Sequence, residues 1–155
     1  MKRLASITLA LVSCLAAVPL LAQEHWTEGP VWEMSYYRTK PGKFDDYVKY
    51  LQGNYAVTTA EAKKQGLILD SKVFVNPAQA NPNDWDICIA TLHSSFARAL
   101  DYNAGDEAKM KAIAEKHFKT ADQKKQDEMT APRFQWRDFI STKYVREVTL
   151  KPLTP

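Results

Sequence analysis

The chain has 155 residues, of which 45% are hydrophobic and 25% charged, with 5 glycines, 8 prolines and 2 cysteines. These proportions suit one ordinary folded domain with its own core, and they exclude a disordered, collagen-like or disulfide-scaffold chain. The formal charge of +3 is too small for a surface that tracks phosphates, so no nucleic-acid partner is expected.

Lys2 and Arg3 open the chain, Leu4 to Leu21 carry no charge, and Ala22 precedes Gln23-Glu24-His25. A basic start, an apolar run and a small residue at the join form the pattern of a secretory signal. Residues 1–22 are therefore read as a signal peptide cleaved after Ala22, and the mature protein as exported, periplasmic or secreted, with no membrane segment left. Pro19 interrupts the apolar run near its end, which disfavours an uncleaved span. Leu11-Val12-Ser13-Cys14 also resembles a lipoprotein box that would lipidate Cys14, although the residues that follow are apolar where a polar tether is expected. Loss of Lys2 and Arg3 takes the basic residues from 21 to 19 against 18 acidic ones, a net charge of +1. Cys88 alone would remain, so no intramolecular disulfide is expected.

Residues 23–29 read as a tether, residues 30–150 as the folded domain and residues 151–155 as a tail. Val31 to Thr39 predicts a first strand, with Trp32, Met34 and Tyr36 on one face and Val31, Glu33, Ser35 and Tyr37 on the other. Lys40-Pro41-Gly42 ends it in a turn. Phe44, Tyr47, Val48, Leu51 and Tyr55 form an apolar stripe at helical period. Asp45 and Asp46 suit the start of that helix, Gly66 suits its stop, and Gly53 allows a kink between them. Leu67 to Asn76 alternates as a second strand, and the Asn- and Pro-rich stretch from Asn76 to Asp84 is a loop. Trp85 to His93 is a third strand, apolar on both faces past Asp86, as in a strand covered on both sides. Ser94 to Tyr102 holds a short helical turn. A second long helix runs from about Glu107 to about Met129, with Asp106 as its N-cap and Met110, Ile113, Ala114, His117 and Ala121 as its stripe. Pro132 ends it. Phe134 to Ile140 is a fourth strand, which Tyr144 to Leu150 extends or follows with another.

The order β-α-β-β-α-β, with right-handed crossovers, predicts an α+β fold of the ferredoxin-like kind: a four-stranded antiparallel sheet with both helices on one face. The first and third strands are then central. The helices cover one face of the third strand, and a second sheet from another copy of the chain is the natural cover for the other, so a homodimer is expected.

Tyr36-Tyr37-Arg38-Thr39-Lys40-Pro41-Gly42-Lys43-Phe44 takes a strand through Pro-Gly-Lys into an amphipathic helix. Trp85-Asp86 opens a strand that ends at the turn around Phe96-Ala97-Arg98-Ala99-Leu100-Asp101. In these features, over roughly residues 30–150, the chain resembles the dimeric α/β-barrel superfamily. The resemblance implies sheet-to-sheet pairing of two subunits and a ligand pocket between the sheet and helices of each. The superfamily includes cofactor-independent quinol-forming monooxygenases, haem-degrading monooxygenases, lactone isomerases and members of unknown role.

No glycine spacing suits a dinucleotide or a phosphate loop, and no Gly-x-Ser-x-Gly, His-Glu-x-x-His or Cys-x-x-Cys occurs. His117, in the stripe of the second helix, is the residue that could act as a base or, as the resemblance implies, ligate haem; the plainer reading is a half-buried histidine with a hydrogen bond. His93 ends the third strand, roughly 15 Å from His117 by helix rise, which argues against a shared metal site. Trp32, Tyr36, Trp85, Phe134 and Trp136 suit either a pocket for a flat ligand or an ordinary core and interface. Cys88 reads as an inert core residue, and Asp84 and Asp86 as turn and strand-edge residues.

Three functions follow. The first is an exported homodimer that binds a small apolar or aromatic molecule between sheet and helices, with Trp32, Tyr36, Trp85, His93, Ile113, His117 and Trp136 as pocket candidates. The second is a monooxygenase-like or isomerase-like enzyme using His117, cofactor-free or with haem. The third is a structural dimer without a ligand. The residues themselves call for no cofactor and no metal.

Overall fold

The computed structural model describes residues 25–153, so the signal segment and Cys14 lie outside the described residues. The strands are β1 (Trp26–Thr39), β2 (Asp70–Val75), β3 (Ile87–His93) and β4 (Arg137–Leu150). They form one sheet in the order β2-β3-β1-β4 with every neighbouring pair antiparallel. The chain is thus an α+β protein, compatible with a ferredoxin-like fold.

The first helical region runs through α1 (Phe44–Tyr50), a π-helical turn (Leu51–Tyr55) and α2 (Ala56–Lys64). Its stripe does what the period predicts. Tyr47 and Leu51 are buried against Ile87, with Tyr37, Phe44, Val48, Tyr55 and Ile89 packed around them. The π turn falls around Gly53, a residue of low helix propensity. Thr58 and Thr59 donate to the carbonyls of Asn54 and Tyr55 at 2.9 and 2.7 Å, supplying partners where the helical ladder changes. Gly66 then ends the region with φ 70°, a left-handed conformation that suits glycine.

Short α3 (Phe96–Leu100) is capped by Ser95, whose hydroxyl accepts from Arg98 N at 3.2 Å. Next come α4 (Ala104–Phe118), α5 (Gln123–Thr130) and the single turn α6 (Arg133–Trp136). Ile113 of α4 is buried with Ala62 and Leu67. The second helical layer therefore docks on the first and stands off β1.

Several expectations are corrected. Residues 26–29, expected as part of a tether, are strand: Trp26 pairs with Leu150 and Glu28 with Val148. Gly29-Pro30 occupies a register shift between Glu28 and Val31, the kind of irregularity that accommodates both residues within a sheet. A Cβ at Gly29 would sit 3.0 Å from the Glu147 carbonyl oxygen, so a side chain here would have to push the β4 backbone back by a few tenths of an ångström. The second helix is not continuous to Met129. Lys119 turns left-handed with φ 56°, and the Asp122 carboxylate caps α5 by accepting from Lys124 N at 3.0 Å. Asn103, not Asp106, caps α4, its side chain accepting from Asp106 N. Phe134 and Trp136 lie in α6 rather than a strand, because Pro132 opens a helical turn as readily as it ends one. Trp85 precedes β3, which begins at Ile87.

Candidate functional site

Because side chains alternate along a strand, β1 presents Glu33, Ser35 and Tyr37 to the helical side. β3 presents Ile89 and Thr91 beside them. Tyr50, Leu51, Asn54 and Tyr55 come down from the first helical region, and Met110, Ile113, Ala114 and Phe118 face them from α4. Between these walls lies a cleft of about 470 Å³. The π turn contributes Leu51, Asn54 and Tyr55 to the lining, so the irregular stretch of helix is the one that faces the space.

The two ends of the cleft differ. At the end near Tyr37, aromatic rings and arginines interleave. Tyr37 meets Tyr47 edge-on at 6.1 Å, and Tyr47 stacks on Tyr50 at 6.2 Å. The Arg137 guanidinium lies 3.7 Å from the Tyr37 ring centre and 5.1 Å from that of Tyr47. Arg133 Nη1 donates to the Tyr50 hydroxyl at 3.0 Å. Burial pushes the Tyr47 phenol well above the ordinary tyrosine value, against the opposing pull of Arg137, so it stays protonated.

The other end holds the Glu33 carboxylate. His93 Nε2 lies 3.3 Å from Glu33 Oε2, but off the direction a hydrogen bond needs, and both ring nitrogens are buried without a hydrogen-bond partner among the described residues. Tyr55 donates to the Ala90 carbonyl at 3.2 Å, which anchors the first helical region to β3. Burial raises the Tyr55 phenol too. The cleft can therefore hold a flat or apolar body against tyrosines and Ile89, with hydrogen-bonding groups at both ends.

Ile113, of the residues singled out in the sequence, lines this cleft. His93 stands behind Glu33. Trp136 packs edge-on to Tyr50 at 5.9 Å, behind the arginine end. His117 is directed to a separate groove between α2 and α4, beside Glu61, Lys64 and Lys116, and its Nε2 is 2.9 Å from Asn54 Oδ1. A haem ligand needs that nitrogen free and aimed into an apolar slot. The residues around His117 do not fit the group.

Trp32, Tyr36 and Trp85 belong to the opposite face of the sheet, outside the cleft. Tyr36 meets Trp85 edge-on at 5.3 Å, Lys143 lies over Tyr36, and Lys72 lies over Trp32. The alternation along β1 separates these faces, but nothing in the alternation says which one the helices cover. Cys88, on the same side as Tyr36, is fully buried, and burial raises its thiol. Among the described residues no group of three His, Cys, Asp or Glu side chains gathers as a metal site. No described helix is long and apolar enough to cross a membrane.

Glu33, Tyr47, Tyr50, Arg133 and Arg137 were not singled out as site residues. Tyr47 belongs to the apolar stripe, but Tyr50 falls off it. The arginines carry no signal, because Arg133 reads as part of the connection after Pro132 and Arg137 as part of a plain strand. Comparison with protein-family models, with curated proteins and with solved structures gives no match.

Proposed function

We propose that this chain is an exported binding protein for a small apolar or aromatic molecule held between sheet and helices, working as a homodimer in the dimeric α/β-barrel manner. The observation that carries this reading is the cleft. Its volume of about 470 Å³ lies in the range of small-molecule sites, and its walls combine aromatic and aliphatic surface with a few polar groups. Those walls stand on strands and helices rather than loops, which suits a preformed site. Export is supported by the charge and apolar pattern of residues 1–22. Pairing is supported by Trp32, Met34, Tyr36, Phe74 and Val145 on the outer sheet face, where Phe74 and Val145 each remain 43% exposed.

The test is calorimetric titration of the protein with a panel of aromatic and apolar compounds, repeated on Ala114→Phe. Ala114 lines the cleft, so a phenyl ring there would occupy the space a ligand needs. Binding weaker by roughly tenfold or more, with the melting temperature held, is expected. Undiminished affinity in a folded Ala114→Phe protein would put the ligand elsewhere and end the reading.

A further inference from the structure

We propose that the Tyr37 end of the cleft is an anion subsite, in which Arg133 and Arg137 receive the acid group of an aromatic or apolar carboxylic acid whose body lies along the tyrosines. The inference rests on the cleft being a binding site and adds the charge of what binds.

Arg133 and Arg137 both line the cleft. The other described arginines are already engaged. Arg98 pairs with Asp106, Arg146 pairs with Glu28, and Arg38 donates to the Asp84 carbonyl. Arg133 and Arg137 form no ion pair with a described carboxylate, and the Nε of each, like that of Arg146, is buried, so what distinguishes the two is a place in the cleft lining with no acid to balance their charge.

The geometry suits a planar anion. Stacking on Tyr37 occupies a face of the Arg137 guanidinium, and with Nε buried the donors left for an acid are the terminal in-plane N–H groups. Those edge donors are the ones that match a carboxylate two at a time. Arg133 donates from Nη1 to Tyr50, and its Nη2 forms no ion pair with a described carboxylate. Tyr47 and Tyr50, stacked beside the pair, offer a wall against which a ring attached to the acid can lie. Glu33, four residues along β1 from Tyr37, sits about 13 Å away by strand rise. Its carboxylate disfavours a second acid group at that end, so the site selects a molecule with one acid, oriented toward the arginines.

The experiment compares 2-naphthoate with its methyl ester, which keeps the ring and removes the charge, by calorimetric titration of the native protein and of Arg133→Gln and Arg137→Gln. The acid is expected to bind about tenfold or more tightly than the ester, the scale of one charge-assisted contact. Each substitution is expected to reduce that preference while leaving the ester's affinity unchanged, which also reports an intact cleft. Should Arg137→Gln fail to fold, Arg133→Gln and the acid-to-ester ratio of the native protein decide the matter. Equal binding of acid and ester by the native protein overturns the anion subsite and leaves the cleft standing as a binding site. Equal weakening of both by the substitutions shows a packing role and overturns the subsite too. Binding of neither probe, while the compound panel yields a cleft ligand without an acid group, overturns the anion subsite alone.

Discussion

Asp86 shows how much of this fold rests on single polar residues. It is 6% exposed, and its carboxylate accepts from the Thr39 backbone N–H at 3.0 Å and from the Thr39 hydroxyl. Its own N–H donates to the Tyr37 carbonyl. One side chain thus ties the end of β1 to the start of β3, next to the cleft. Asp86→Ala would leave the Thr39 donors unmet and is expected to cost about 1–3 kcal/mol, read from the urea midpoint. Little change there would mean that water takes over the carboxylate's role. Tyr47 carries a pH consequence. Burial raises its phenol above the ordinary value of 10.0, so in the alkaline range the unfolded chain loses this proton before the folded one does. Its contribution to stability is complete below that value and declines as pH rises beyond it. Phenolate absorbance followed against pH should show one tyrosine titrating only with global unfolding. Complete, reversible ionisation of every tyrosine in the folded state would contradict this.

Among the elements, the first helical region is the most informative, because its irregular middle faces the cleft. Gly53 is exposed, has no positive φ, and a Cβ there meets nothing within 4 Å. Alanine therefore fits without strain and lowers the entropy of the unfolded chain. Gly53→Ala is expected to raise stability by about 0.5–1 kcal/mol in thermal or urea unfolding. A loss of stability would show that the π turn itself needs glycine. The pairing of β1 with β4 is the other element of weight. These are the two longest strands, 14 residues each, and they bring the arginine of β4 beside Tyr37 of β1. The register shift between Tyr36 and Tyr37 lies at that point. A local irregularity of this kind turns side chains relative to a regular ladder.

At the level of the whole molecule, the sheet has one side under helices and one side open. On the open side Cys88 and Ala90 are fully buried although no helix lies over them. Their registered neighbours are larger: Tyr36 and Phe74 flank Cys88, and Met34 and Lys72 flank Ala90. The strands partly shield their own centre and leave an aromatic, lysine-edged rim. The proposed pairing would cover that rim. Light scattering of the protein is expected to give twice the chain mass, and Met34→Glu, which sets like charges near the centre of the pair, should give the single-chain mass with the sheet retained. A monomer at working concentrations for the unmodified protein would remove the dimer from the proposal.

Much of the backbone plan was legible before any coordinates. The stripe of Tyr47, Leu51 and Tyr55, the alternation along β1, the doubly apolar run of β3 and the stop at Gly66 are local patterns, and each element follows from its own. Short-range signals with two meanings were less dependable. Pro132 suits a helix end or a start, and the path into β4 decided between them. The site was the least legible part. Alternation divides Trp32 and Tyr36 from Glu33 and Tyr37, but which face receives the helices depends on packing between distant segments. Arg137 reaches the Tyr37 ring only because β4 lies beside β1, a contact across about a hundred residues of chain that no local pattern encodes.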